Sequence, residues 1–218
     1  GRADSSAMDH FARRGYDCWC VDMEGYGRST KDRDNNAPIS QGADDCYAAA
    51  LYIQKLRGKR PFLVYGISSG ALRAAMFAER HPEMVARLAL DAMVWTGEGS
   101  PTLEQRRKKL AEFKATNRRP IDKAFIRSVF DRDHPDTAER HVIDAFADAV
   151  TALDNSVPTG TYVDMCSRLP VVDPETSNQL SDEFKTLRDD GVFVTAASGN
   201  SNDQNSGPIN QDGIAYPA

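Results

Sequence analysis

Residues 61–80 constrain this chain more than any other stretch. Pro61-Phe62-Leu63-Val64-Tyr65 is short, apolar and partly β-branched, the signature of a buried strand. It runs without a spacer into Gly66-Ile67-Ser68-Ser69-Gly70, and residues 71–80 are strong helix formers closed by Pro82. A strand that feeds straight into a helix needs a sharp turn, and the residue at its apex needs small neighbours. Gly66 and Gly70 flank Ser68 at two positions on either side. A hydroxyl at that apex stands over the following helix N-terminus, whose unpaired N–H groups and positive dipole end favour a developing oxyanion. Ser68 is therefore the candidate nucleophile, and the backbone N–H of Ser69 the candidate oxyanion donor.

The surrounding pattern predicts an α/β fold. Residues 7–15 read as a helix ended by Gly15, and residues 16–21 as a buried strand. The loop Asp22-Met23-Glu24-Gly25-Tyr26-Gly27-Arg28-Ser29 leaves that strand through two glycines. Ser40 reads as a helix N-cap, with Asp44 and Asp45 near the positive dipole end. Cys46, Ala50, Ile53 and Leu56 follow as one apolar helical face that stops before Gly58, and residues 85–90 read as another strand. This alternation implies a mainly parallel sheet with helices on both faces. From Gly97 the texture changes: residues 101–116, 121–131 and 136–153 read as charged or amphipathic helices, with no strand expected until after 170. Such an insertion reads as a helical cap. Residues 178–190 then read as a helix, 192–197 as a strand and 198–213 as a polar loop. The expected division is a core over 1–96, a cap over 97–169, and a junction with a helix-strand-loop segment over 170–218.

Composition narrows the function classes. A chain of 218 residues, 40% hydrophobic and 27% charged, reads as soluble and globular, of a size for one domain or one domain plus a small appendage. Its net charge of −5 argues against nucleic-acid binding, and no apolar run is long enough for a membrane span. The start, Gly1-Arg2-Ala3-Asp4-Ser5-Ser6, carries neither Met nor an apolar signal core. The four cysteines, Cys18, Cys20, Cys46 and Cys166, read as buried free thiols of a reduced compartment, with Cys18 and Cys20 on one strand face, so the expected location is cytoplasmic. No metal cluster is expected, and Gly25-x-Gly27 is not a dinucleotide fingerprint, so no cofactor is implied.

The loop Gly25-Tyr26-Gly27-Arg28-Ser29 after Asp22, the turn at Ser68, and Glu79-Arg80-His81-Pro82-Glu83 closing the next helix together resemble the α/β-hydrolase superfamily over roughly residues 7–175. The resemblance implies a serine hydrolase of the esterase, lipase or carbon–carbon hydrolase kind. Ser68 would attack a small-molecule ester- or acyl-type substrate, and a histidine oriented by an acid would take its proton. It also implies a partial fold. The family's strand and oxyanion loop, often His-Gly, belong before the helix at residues 7–15, its acid near Asp173-Pro174-Glu175-Thr176, and its histidine later still, yet no histidine follows His141.

The four histidines fit the base role poorly: His10 lies on the first helix, His81 and His134 each precede a proline, and His141 sits in a cap helix that could dip toward Ser68. Asp91, at the end of the strand Leu88-Ala89-Leu90, is the substitute acid. Without a base the serine keeps its proton at neutral pH. An imidazole within reach of its hydroxyl would mark a working site, and Arg73 or a lysine there an inactive one.

Beyond residue 177 the sequence is similar to a different family. Gly191-Val192-Phe193-Val194-Thr195-Ala196-Ala197-Ser198-Gly199-Asn200 and Tyr216-Pro217-Ala218 resemble subtilisin-like proteases, in which the matching Asn200 would donate to the oxyanion. That suggests a chimeric join, with the strand at 192–197 added at the edge of the hydrolase sheet. Two functional readings follow: a serine hydrolase acting through Ser68, or an inactive fragment or fusion that serves as a binding or structural module.

Overall fold

The computed structural model describes residues 6–94, 97, 99–131, 135–136 and 138–167. Helix α1 (Ala7–Ala12) is capped by Ser6, whose hydroxyl accepts the Asp9 N–H at 3.1 Å. The chain leaves it through Gly15 at φ 89°, the left-handed conformation that suits a terminating glycine. Residues 16–21, expected as a buried strand, form none; Tyr16 and Trp19 are exposed. These residues have strand propensity, but a strand exists only where a neighbour supplies its hydrogen-bond ladder. Among the described residues none does.

Helix α2 (Ile39–Arg57) stops at Gly58 as expected. Its start is not capped by Ser40: the N-cap is Pro38, and the Ile39 N–H is met at 2.8 Å by the carboxylate of Asp164, 125 residues away. Asp45 accepts the Glu24 N–H at 2.8 Å and Asp44 pairs with Arg80 at 2.8 Å, so both acids tie α2 to its neighbours.

Strands β1 (Phe62–Ile67) and β2 (Val85–Asp91) run parallel, with Val64 opposite Leu88 and Ile67 opposite Asp91. Helix α3 (Ser69–Arg80) and a 3-10 turn at Pro82–Met84 connect them. Ala71, Leu72, Ala74, Ala75 and Phe77 of α3 are buried in the core against Phe62, Val64 and Leu88. At the end of α3 the His81 ring stacks on Tyr47 at 3.9 Å, which gives that histidine a packing role. The fold is thus α/β, a parallel sheet flanked by helices. On its opposite face Leu63, Tyr65 and Ile67 are 57%, 59% and 55% exposed, so the helices expected on both faces cover one face among the described residues.

The region after residue 97 is mainly helical: α4 (Pro101–Arg107), α5 (Leu110–Ala115), α6 (Lys123–Asp131), α7 (Arg140–Leu153) and α8 (Gly160–Ser167). The helix expected over 101–116 is broken at Lys108 and Lys109. Contrary to expectation, strands also occur before residue 170: β3 (Arg118–Pro120) pairs antiparallel with β4 (Ser156–Pro158). Three-residue strands carrying prolines have no readable period. Side chains reinforce them, because the Arg118 guanidinium donates to Ser156 Oγ at 2.9 Å, to the Ser156 carbonyl at 2.6 Å and to the Gly25 carbonyl at 2.9 Å. Leu103, Met165 and Cys166 join the main core, whereas Ile121, Ile126 and Ala147 form a second cluster. The helix expected at 178–190, the strand at 192–197 and its place at the sheet edge lie outside the described residues. No helix among the described residues is long and apolar enough to cross a membrane.

All four cysteines are free, but Cys20 is exposed and Cys18 only half-buried, because the strand that was to bury them does not form. Burial pushes the Cys46 thiol up to about 11 and raises that of Cys166 as well. At pH 8 a thiol with that value is about 0.1% thiolate. Iodoacetamide at pH 8 should therefore modify Cys20 first and leave Cys46 and Cys166 unmodified in the native protein, as peptide mass mapping would show.

Candidate active site

Strand β1 ends at Ile67 and helix α3 begins at Ser69, so Ser68 alone turns the chain. It does so at φ 54° and ψ −118°, backbone that a residue with a Cβ avoids at a cost of about 1–3 kcal/mol. Two hydrogen bonds hold the turn: the Ser68 N–H donates to the Asp91 carbonyl at 2.8 Å, and the Ser68 carbonyl accepts from Ala71 at 3.0 Å. The side chain is exposed and its hydroxyl has no hydrogen-bond partner among the described residues.

The flanking glycines are not equivalent. A Cβ at Gly66 would lie 2.6 Å from the Gly70 carbonyl oxygen and 2.8 Å from both Ala71 Cα and Ala74 Cβ. A Cβ at Gly70 would meet nothing within 4 Å. The steric demand of the turn therefore falls on Gly66. Gly70→Ala should fold normally, with stability unchanged or raised by no more than about 1 kcal/mol, because alanine is the better helix former. Thermal unfolding checks this.

Ser68 and Ser69 open on a cavity of about 180 Å³. Its wall is gathered from distant parts of the chain: Tyr26 from the glycine loop, Val94 from beyond β2, Arg106 from α4, Arg119 from β3, Val157 and Pro158 from β4, and Thr161, Tyr162 and Met165 from α8. The loop reaches the wall because both its glycines adopt positive φ, 85° at Gly25 and 55° at Gly27. A Cβ would lie 2.4 Å from Pro158 Cγ at Gly25 and 2.4 Å from the Asp22 carboxylate carbon at Gly27. The Asp22 carboxylate accepts the Arg28 N–H at 3.0 Å, and Asp154 accepts the Gly27 N–H at 2.8 Å while pairing with Lys31 at 2.6 Å.

Arg73 lies behind the wall, 3% exposed. It passes over Gly42, where a Cβ would lie 2.2 Å from its Cδ, and donates to the Ser69 carbonyl at 3.1 Å and to Thr161 Oγ1 at 2.9 Å. Its guanidinium sits 5.3 Å from the Tyr26 ring centre. One side chain thereby joins the helix under Ser68 to α8 and to the glycine loop.

The structure brings Ser68, Ser69 and the turn glycines together, and Ser69 opens α3, where a backbone N–H has no intrahelical acceptor. Asp91 is linked to Ser68 through its backbone carbonyl, while its carboxylate accepts the Tyr65 hydroxyl at 3.0 Å. His141 is not brought to Ser68: its side chain is 56% exposed and its Nε2 lies 3.1 Å from Glu139 of the same helix end, a pairing that its place on the solvent side of α7 allows. Neither a histidine nor a carboxylate lines the cavity among the described residues, and Arg73 does not contact the hydroxyl. His134 and Asn200 lie outside the described residues. No group of His, Cys, Asp and Glu side chains suited to a metal ion occurs among the described residues. Sequence reasoning missed Tyr26, Arg106, Arg119 and Tyr162 as wall residues. Only Tyr26 carried a local signal, its place between two glycines.

A family model described as the alpha/beta hydrolase fold matches residues 2–195. The match runs into the segment that resembles subtilisin-like proteases as far as residue 195, and the comparisons give that resemblance no support. No match was found among curated proteins.

Proposed function

Because this chain belongs to the alpha/beta hydrolase fold family, we propose that it acts as a serine hydrolase on small ester- or acyl-type substrates through Ser68. The observation that carries this reading is the positive-φ turn that holds an exposed serine between strand and helix at the mouth of a cavity. The Ser68 oxygen forms a bond to the substrate carbonyl carbon, and the carbonyl π electrons move to its oxygen. The Ser69 N–H at the start of α3 stabilises that oxyanion. The intermediate collapses by expelling the alcohol or equivalent leaving group with its bonding pair, and water then hydrolyses the acyl-serine. Asp91, one hydrogen bond from the Ser68 backbone, is assigned the acid's place. With no base in the described wall, the serine proton leaves to solvent hydroxide and turnover is slow. The helices after residue 97 serve as a cap whose wall residues select the substrate. At about 180 Å³ the cavity is smaller than the ~300–1,000 Å³ of drug-sized sites, which favours a short acyl group.

The second reading, a binding module that does no chemistry, is favoured by that same absence of histidine and carboxylate from the described wall. Incubation with p-nitrophenyl acetate separates the two. Hydrolase action leaves a chain heavier by one acetyl group on Ser68 and absent from Ser68→Ala, whereas a binding module stays at its original mass.

A further inference from the structure

The cavity wall holds more positive charge than the described residues balance. Most part-buried cations elsewhere have a carboxylate: Lys31 has Asp154 and Arg127 has Asp144. Arg106 and Arg119, both half-buried in the wall, have no ion-pair partner among the described residues, and neither does Arg73 behind it. Arg119 donates to the Tyr162 hydroxyl at 2.8 Å, and its guanidinium carbon lies 4.6 Å from the Tyr162 ring centre and 4.9 Å from that of Phe125. The Arg106 guanidinium sits 5.0 Å from the same Tyr162 ring. Two like charges thus share one aromatic platform. The Nε of Arg119 is buried with no hydrogen-bond acceptor, as is the Nε of Arg73. Half-buried guanidinium charge with no counter-ion favours an anion beside it, and the planar fork matches a carboxylate.

We propose that the cavity beside Ser68 is a carboxylate-recognition site in which Arg119 and Arg106 hold the free carboxylate of a small acyl substrate. The proposal rests on the serine-hydrolase reading for the word substrate, but binding of the carboxylate does not depend on turnover. A short acyl group with a carboxylate at its far end would place that group against the arginines and its ester carbonyl near the Ser68 hydroxyl. The guanidinium fork fits either a carboxylate or a phosphate, and the small cavity selects the carboxylate over the bulkier tetrahedral anion.

The test uses the full chain with Ser68→Ala, which cannot turn a substrate over. Calorimetry measures monomethyl succinate, dimethyl succinate and inorganic phosphate as ligands. Monomethyl succinate should bind at least about tenfold more tightly than the neutral diester, the scale of a charge-assisted fork. Arg119→Gln should remove that preference. Arg106→Gln should weaken it severalfold, and because the Arg106 side chain makes no hydrogen bond among the described residues it provides a second variant should Arg119→Gln fail to fold. Equal binding of the two esters, a preference that survives both substitutions, or tighter binding of phosphate would each overturn the proposal. Failure of the hydrolase reading shows separately, as wild-type protein that binds monomethyl succinate but acquires no acyl group.

Discussion

Ser68→Ala is expected to reduce hydrolysis of p-nitrophenyl acetate to the buffer rate. In the wild-type protein the positioned hydroxyl is the attacking group, and the Ser69 N–H beside the developing oxyanion is a donor worth about 10²–10³ in rate. Alanine keeps a Cβ in the same strained turn, so the fold is unchanged and only the nucleophile is lost. The pH dependence carries further information. No histidine or carboxylate lines the cavity among the described residues, so nothing there titrates near neutrality to assist the serine. The wild-type rate should then rise about tenfold per pH unit across roughly pH 6–9, following the alkoxide fraction. A plateau near neutral pH would reveal an imidazole reaching Ser68 and would contradict the base-free site.

Gly66→Ala is expected to be the most damaging conservative change at the turn. The added methyl would meet the Gly70 carbonyl oxygen at 2.6 Å and Ala71 Cα at 2.8 Å, and both are backbone atoms of the first turn of α3. Neither can swing aside as a side chain could, so β1 and α3 must separate. Overpacking of this kind costs about 1–3 kcal/mol. Because the shift moves the start of α3, the Ser69 N–H also leaves its place beside the reacting carbon, and loss of one oxyanion donor costs about 10²–10³ in rate. Urea unfolding and ester hydrolysis together check this. A Gly66→Ala protein of native stability and rate would show that the contact relaxes freely.

What the sequence reveals here divides by range of interaction. The turn at Ser68 is legible because strand, glycine, serine and helix are consecutive, and the same holds for the end of α2 at Gly58 and for β2. Signals that need a partner elsewhere mislead. Residues 16–21 have strand propensity without a described neighbour to pair with, and Ser40 looks like a cap where Asp164 supplies the acceptor from α8. Strands β3 and β4 are held as much by the Arg118 side chain as by their own backbone. The cavity wall was the least legible part. Arg106, Arg119 and Tyr162 are separated in sequence and meet around one ring, so no local pattern marks them.

The assignment of Ser68 as the nucleophile is tested most directly by reaction with a fluorophosphonate, followed by mass spectrometry of the proteolysed protein. The expected result is a phosphonyl group on Ser68, formed slowly, faster at higher pH and missing from Ser68→Ala. A modified residue other than Ser68, or a chain that stays unmodified at pH 9, would contradict it.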